Sequence, residues 1–349
     1  MEPSHCLLAG PKSMSLLLLC SLLFFGSAIL TGLIRAVARR THLIDVPVSR
    51  SAHSRPVPIG GGISIVVCVV FTIVYYYVDG LIPANEFAAL LAAVLIASIG
   101  IIDDIKPLNL RWRLPAQFIA SLFVVYCLGD VPAIDFGFFH FPESILLNVI
   151  AVFALVWLLN LFNFMDGIDG IAASELIAVN LLSVLIVVNS DDVLSLLSVS
   201  LAAAAGGFLL WNWSPAKIFM GDVGSSFIGF TLGIMALLSM FHGSMTVWTW
   251  VLLLGAFIVD ATLTLTIRIR RGQRWYDGHA SHAYQNAARH YKSHAKVTIT
   301  LLLINLFWLG PLAWLSLQYP EMGLGITIVG LLPLAFLAKR FGAGEEQFC

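Results

Sequence analysis

The chain of 349 residues is 59% hydrophobic and 11% charged, with a mean hydropathy of +0.92, whereas a soluble domain is closer to half apolar and a quarter charged. This composition excludes a soluble globular enzyme, a disordered protein and a nucleic-acid binder with a basic surface. The formal net charge of −1, from 19 Lys+Arg against 20 Asp+Glu, hides an uneven distribution.

Apolar runs of about 17 to 25 residues read as bilayer-spanning helices. In chain order they fall near 14–34, 63–78, 86–102, 114–129, 144–160, 170–188, 193–211, 224–241, 247–267, 297–316 and 322–338. That makes eleven spans, or ten if a short glycine-bearing run is discounted. In lipid every backbone polar group needs an internal partner, and the runs are continuously apolar rather than alternating. The expected fold is therefore all-α: a polytopic integral membrane helix bundle forming one domain over residues 1–349, with its motif-bearing core at about 30–300. The first run is a retained helix, because Arg35, Arg39 and Arg40 follow it rather than precede it. Cys6, Cys20, Cys68, Cys127 and Cys349 show no paired spacing, so neither a disulfide framework nor a zinc site is expected.

The loops sort by charge. Segments 35–62, 103–113, 160–170, 212–223 and 268–296, with the C-terminal tail, hold every Lys and Arg except Lys12. Cytoplasmic loops attract Lys and Arg, which places these inside, the N-terminus in the periplasm and the C-terminus in the cytoplasm. Inside, 18 basic residues meet 11 acidic ones; outside, one basic residue meets nine acidic ones.

The inner segments carry the chemistry. Asp103-Asp104 directly follows an apolar run. Adjacent carboxylates repel, and acids at a helix C-terminus oppose its dipole, so a plain helix end is a poor account of them. Lys106, Arg111 and Arg113 supply positive charge nearby. Asn160, Asn163, Asp166 and Asp169 in NLFNFMDGIDG recur every third residue and share one face if helical. Their oxygens suit a hard cation such as Mg²⁺, which a simple glycine-rich turn does not explain. In KIFMGDVGSS, Gly and Ser open a helix whose amides could meet a phosphate, with Asp222 either bridged by a metal or serving as an N-cap. His53, Arg55 and Gly60-Gly61-Gly62 suit an anionic headgroup, although the arginines equally suit a positive-inside turn. In the last loop His279 and His282 could donate to phosphate oxygens, and zinc lacks a third ligand of suitable spacing. Asp260 is placed to pair with Arg268. Together these segments imply metal-assisted phosphoryl transfer between a soluble phosphorylated donor and a lipid acceptor.

Asp103-Asp104-Ile-Lys106, NLFNFMDGIDG, FMGDVGSS and the late His-rich loop, in that order, resemble the polyprenyl-phosphate N-acetylhexosamine-1-phosphate transferases of bacteria over about residues 30 to 300. The NLFNFMDGIDG and HASHAYQ forms look most like the branch that initiates O-antigen, and the His triplet usual in peptidoglycan-type members is missing. The resemblance implies transfer of N-acetylhexosamine-1-phosphate from a UDP-sugar to undecaprenyl phosphate, with release of UMP. It implies Mg²⁺, for which Mn²⁺ could stand in. It also implies an active site on the cytoplasmic face of the bacterial inner membrane. Membrane lipids are further partners, nucleic acid is not, and a homodimer is compatible with it. By motif, Asp103 and Asp104 would act at the lipid phosphate and Asp222 would be catalytic and a metal ligand with Asp169. Asn163, Asp166, His279 and His282 would hold the nucleotide-sugar, and His53, Arg55, Gly60, Gly61, Gly62 and Lys106 the lipid phosphate. Ile59 and Ala280 stand where many relatives carry basic residues.

An ion-coupled transporter is the alternative, but it calls for polar residues in mid-span and often paired broken helices. A CDP-alcohol phosphotransferase would continue its Asp-rich run differently from Asp169-Gly-Ile-Ala-Ala-Ser.

Overall fold

The structure is a computed structural model that describes residues 14–47, 55–187, 193–274 and 279–345; His53 lies outside the described residues. It is a bundle of helices: α1 (Leu16–Arg40), α2 (Ile63–Val78), α3 (Ala84–Ile105), α4 (Leu110–Leu128), α5 (Ile145–Met165), α6 (Ile171–Ile186), α7 (Val193–Asn212), α8 (Asp222–Phe241), α9 (Val247–Leu253), α10 (Gly255–Arg270), α11 (Ala283–Tyr291), α12 (His294–Ile304), α13 (Gly310–Gln318) and α14 (Gly323–Arg340). Two small antiparallel pairs accompany them: β1 (Ile44–Asp45) with β2 (Val57–Pro58), and β3 (Ile134–Asp135) with β4 (His140–Phe141).

All eleven apolar runs are helical. Among the described residues seven helices can cross a membrane by length and composition, or eight if α9 and α10 make one span. The apolar helices α2 and α6 are shorter, and α4 carries Arg111 and Arg113 in its first turn.

Three expectations change. The run 247–267 bends by 79° between α9 and α10, where Gly255 packs closely against Leu331 and Leu309. The run 297–316 is interrupted by a π-helical stretch, Asn305–Leu309, just before Pro311, which has no N–H to continue an α-helical ladder. Segments 103–113 and 160–170, expected as loops, are largely helix, because α3 runs on to Ile105, α4 begins at Leu110 and α5 continues to Met165.

The enclosed helix α8 is the axis of the bundle, flanked by α3 and α5. Small residues let it be approached closely. A Cβ on Gly100 of α3 would lie 2.5 Å from the Val223 Cα, and one on Gly62 would lie 2.4 Å from the Gly224 Cα. These contacts set the starts of α2 and α8 and the end of α3 side by side. At the opposite end, Glu86 Oε1 meets His242 Nε2 at 2.7 Å, joining the start of α3 to the end of α8.

Candidate active site

The ends of α3, α5 and α8, the 166–170 turn, the 214–221 segment and the 279–294 segment surround a cavity of about 380 Å³. Asp104, Asn163, Asp166, Asp169, Asp222 and His279 all line it, with Asp45, Phe219, Ser225, Gln285 and His294. The segments grouped by charge in the sequence thus meet at one end of the bundle.

The adjacent carboxylates of α3 do different work. Asp104 lines the cavity, and its two oxygens accept the backbone N–H groups of Asp222 (2.8 Å) and Val223 (3.2 Å). It caps α8 from a neighbouring helix, where Gly221, with φ of +80°, offers no side chain. Asp103 turns away, accepting from the Leu108 N–H at 2.5 Å and from Arg113 Nη1 at 2.5 Å. Arg113 Nη1 is also 3.3 Å from Asp222 Oδ2 and so bridges the two carboxylates. Asn163 Nδ2 donates to Asp222 Oδ1 (2.8 Å) and Ser225 Oγ (3.2 Å). Asn160 serves the bundle instead, donating to Gln117 Oε1 on α4.

Asp166, at the C-terminal end of α5, is pushed well above the usual carboxylate range by burial and then by the charges of Asp222, Asp104 and Asp169. Asp169 goes the other way. Burial raises it, but hydrogen bonds from His294, the Ala216 N–H and Ser214, with the His294 charge, bring it below its ordinary value. Asp169 Oδ2 lies 3.2 Å from His294 Nδ1.

Several of the residues singled out in the sequence have other partners or lie off the cavity. The amides of Gly61 and Gly62 donate to the carbonyls of Phe219 and Met220, both at 2.9 Å. They fasten the α2 start to the segment before α8 and are spent before any phosphate arrives. The first two amides of α8 are likewise taken by Asp104. Asp169 and Asp222 hold different partners, His294 and Asn163 respectively, and Asp166 lines the cavity with both. Lys106 is exposed at the end of α3 and does not line the cavity. His282 is 2% exposed and lies behind His279, their rings 5.0 Å apart and 27° from parallel. Only His279 of the two reaches the cavity.

The carboxylate that orders this region is Asp260. It accepts the N–H groups of Ala283 (3.0 Å) and Tyr284 (2.8 Å), capping α11, as well as the Thr264 hydroxyl (3.1 Å), and stands 3.3 Å from His282 Nδ1. Arg268 Nη1 reaches Ser281 Oγ at 3.4 Å. A second cavity of about 670 Å³ adjoins the first, sharing Asp169, Phe219, Gln285 and His294, and adds Arg55, Arg289 and Lys292. The site therefore has a carboxylate-rich half and a cationic half.

The donor set fits Mg²⁺, a cation that prefers oxygen and keeps waters and substrate phosphates in its shell. Asp104, Asp166 and Asp222 line one cavity, and Asp166 is raised first by burial and then by repulsion from its carboxylate neighbours, a repulsion that a divalent cation would relieve. Among the described residues no group of three or more His, Cys, Asp or Glu side chains is placed to hold a metal ion, so a cation here would need oxygens from substrate as well.

Sequence reasoning passed over Arg113 as a bridge, His294, Phe219, Gln285 and Arg289. His294 sits between lysines in Lys-Ser-His-Ala-Lys and reads as one more inner basic residue. A carboxylate partner 125 residues away gives no local signal.

The sequence model of glycosyl transferase family 4 matches residues 86–240, from the first turn of α3 to the last turn of α8. Over that stretch the chain is similar to this family. The match contains Asp103, Asp104, Asn163, Asp166, Asp169 and Asp222. A probable undecaprenyl-phosphate N-acetylglucosaminyl 1-phosphate transferase of Bacillus subtilis is 27% identical over 328 residues, spanning 92% of this chain and 90% of that protein. An undecaprenyl-phosphate alpha-N-acetylglucosaminyl 1-phosphate transferase of Escherichia coli K12 is 27% identical over 305 residues, with 82% and 81% covered. A decaprenyl-phosphate N-acetylglucosaminephosphotransferase of Mycobacterium leprae is 28% identical over 322 residues, with 81% and 78% covered.

Proposed function

We propose that this protein transfers N-acetylhexosamine-1-phosphate from a UDP-sugar to undecaprenyl phosphate in a bacterial inner membrane, working at the cytoplasmic face, and so initiates a surface polysaccharide such as O-antigen. The observation that carries this reading is one cavity uniting Asp104, Asp166, Asp222 and Asn163 and opening onto a second lined by Arg55, Arg289 and Lys292. Two anionic substrates need both halves. The family and the relatives' names supply the reaction class and make N-acetylglucosamine the first sugar to test.

An oxygen of the lipid phosphate attacks the phosphorus attached to the sugar. A P–O bond forms there, the bond to the UMP phosphate breaks, and UMP leaves with that electron pair. A phosphate monoester has a second pKa of about 6, so the nucleophile is largely deprotonated at neutral pH and needs no strong base. Asp103, held by Arg113 and the Leu108 N–H, positions Arg113 beside Asp222 rather than accepting a proton. Mg²⁺ held by Asp222 and Asp166, with Asp104 beside them, would neutralise charge on phosphate oxygens when bound. His279, Arg289 and Lys292 offset charge on the remaining oxygens. The pair Asp169–His294 lines both cavities and holds the 166–170 turn to the start of α12.

The test uses purified protein, a polyprenyl phosphate and a panel of UDP-sugars, reading UMP. Release should require the lipid phosphate, stop with EDTA and vanish in Asp222→Asn. Release that continues without lipid phosphate, or at full rate in EDTA, overturns the reading.

A further inference from the structure

On the side of α11 away from the reaction lies a different cavity, an apolar groove of about 600 Å³ between α10, α11, α12 and α14. Its walls include Val259, Val297, Leu301, Ile304, Leu334 and Leu337, and Lys296 and Arg340 also line it. Both cations are exposed. They lie at the start of α12 and the end of α14, the end of the bundle that holds the active site. Among the described residues Asp260 is the only acidic residue in the lining, and both of its oxygens are committed to the start of α11 and to Thr264. Among the described lining residues, a phosphate beside Lys296 and Arg340 would meet no opposing free carboxylate.

We infer that this groove is a binding site for an anionic glycerophospholipid, its phosphate held by Lys296 and Arg340 and its acyl chains lying along α12 and α14. The chemistry is that of a headgroup pinned by two cations over an apolar trough. The site is separate from the reaction but touches its scaffold. α11 is a two-sided wall: Tyr284, Ala287 and Tyr291 face the groove, while Gln285, Arg289 and the following Lys292 face the cationic cavity. Tyr284 also reaches through, its hydroxyl donating to the Phe164 carbonyl at 2.9 Å. That hydroxyl would stand 2.2 Å from a Cβ built on Gly167, next to Asp166. Chains filling the groove support α11 from behind and hold both Tyr284 and the cationic wall in place.

Native mass spectrometry of the full-length protein in detergent, with dioleoyl phosphatidylglycerol or dioleoyl phosphatidylcholine added, tests this directly. The wild type should retain phosphatidylglycerol in preference to phosphatidylcholine. At about 1 kcal/mol per basic residue near anionic lipid, Lys296→Gln with Arg340→Gln should weaken retention about 30-fold. Ile299→Trp, which narrows the groove without removing charge, should also weaken it, so the result does not rest on one variant. Arg39→Gln with Arg40→Gln, an exposed basic pair at the end of α1, should leave retention intact. Equal retention by the wild type and the Lys296/Arg340 variant, equal loss in the Arg39/Arg40 control, or no preference over phosphatidylcholine overturns the site. Photo-crosslinking of a polyprenyl phosphate to α12 or α14 within the groove overturns it in favour of the substrate chain.

Discussion

Gly62→Ala separates two accounts of the glycine triplet. The new methyl would sit 2.4 Å from the Gly224 Cα, 2.8 Å from the Gly224 nitrogen and 2.9 Å from the Met220 carbonyl oxygen. All three are backbone atoms, so no side chain can rotate away, and ordinary contact requires the starts of α2 and α8 to separate by about 1 Å. Overpacking of this kind costs about 1–3 kcal/mol. Separation would also stretch the two 2.9 Å bonds from Gly61 and Gly62 to Phe219 and Met220, and it would shift Asp222, two residues beyond Met220. A displacement of about 1 Å in a reacting group costs on the order of 100-fold in rate. The assay is UMP release alongside thermal unfolding in the same detergent. The expected result is a lower melting temperature with kcat reduced about 100-fold, and Gly325→Ala, with no atom within 4 Å of its new methyl, as the silent control. If the triplet served the lipid phosphate through its amides, which alanine keeps, stability would be untouched and only the KM for lipid would move. Wild-type stability and turnover in Gly62→Ala would refute the packing argument.

Other outcomes follow from the same geometry. Arg113→Gln leaves Asp103 half-enclosed beside Asp222 without its cation and should destabilise by up to about 3 kcal/mol, with partial recovery when Asp103→Asn is added, read by thermal unfolding. Asp260→Ala removes the cap of α11 and the partner of His282, and should cost about 2 kcal/mol and lower turnover more than binding of the UDP-sugar. Because Asp166 is raised well above its ordinary value and keeps its proton above the usual range, Mg²⁺ binding should release protons and tighten as pH rises; calorimetry in buffers of different ionisation enthalpy measures this, and proton-neutral binding would count against Asp166 as a ligand. Asp169 is lowered, so its stabilisation is fully present above the unfolded value of about 3.9 and is lost as pH falls through its folded value; the difference in melting temperature between wild type and Asp169→Asn should be flat above pH 5 and shrink below about pH 4.

The membrane bundle and its polar end were legible because each rests on a local signal. An apolar run long enough to span lipid must satisfy its own backbone, so composition alone fixes helix and approximate limits. Clustered Asp, Asn, Gly and His beside those runs marked Asp104, Asn163, Asp166, Asp222 and His279, all of which line one cavity. What was not legible depends on partners distant in the chain. Adjacent in sequence, Asp103 and Asp104 diverge because Arg113 claims one and the amides of α8 claim the other. The same holds for Asp169 with His294, for Asp260 with the start of α11, and for the glycine triplet against Met220 and Gly224. The 79° bend between α9 and α10 lies inside an unbroken apolar run. The sequence by itself determined that this chain is a membrane bundle with one polar end, since hydrophobic length and charge asymmetry are additive along the chain. Only the tertiary structure decided which carboxylate faces the cavity and which is spent on an arginine, an amide or a histidine, because pairing over about 3 Å depends on how helices pack and not on how residues are ordered.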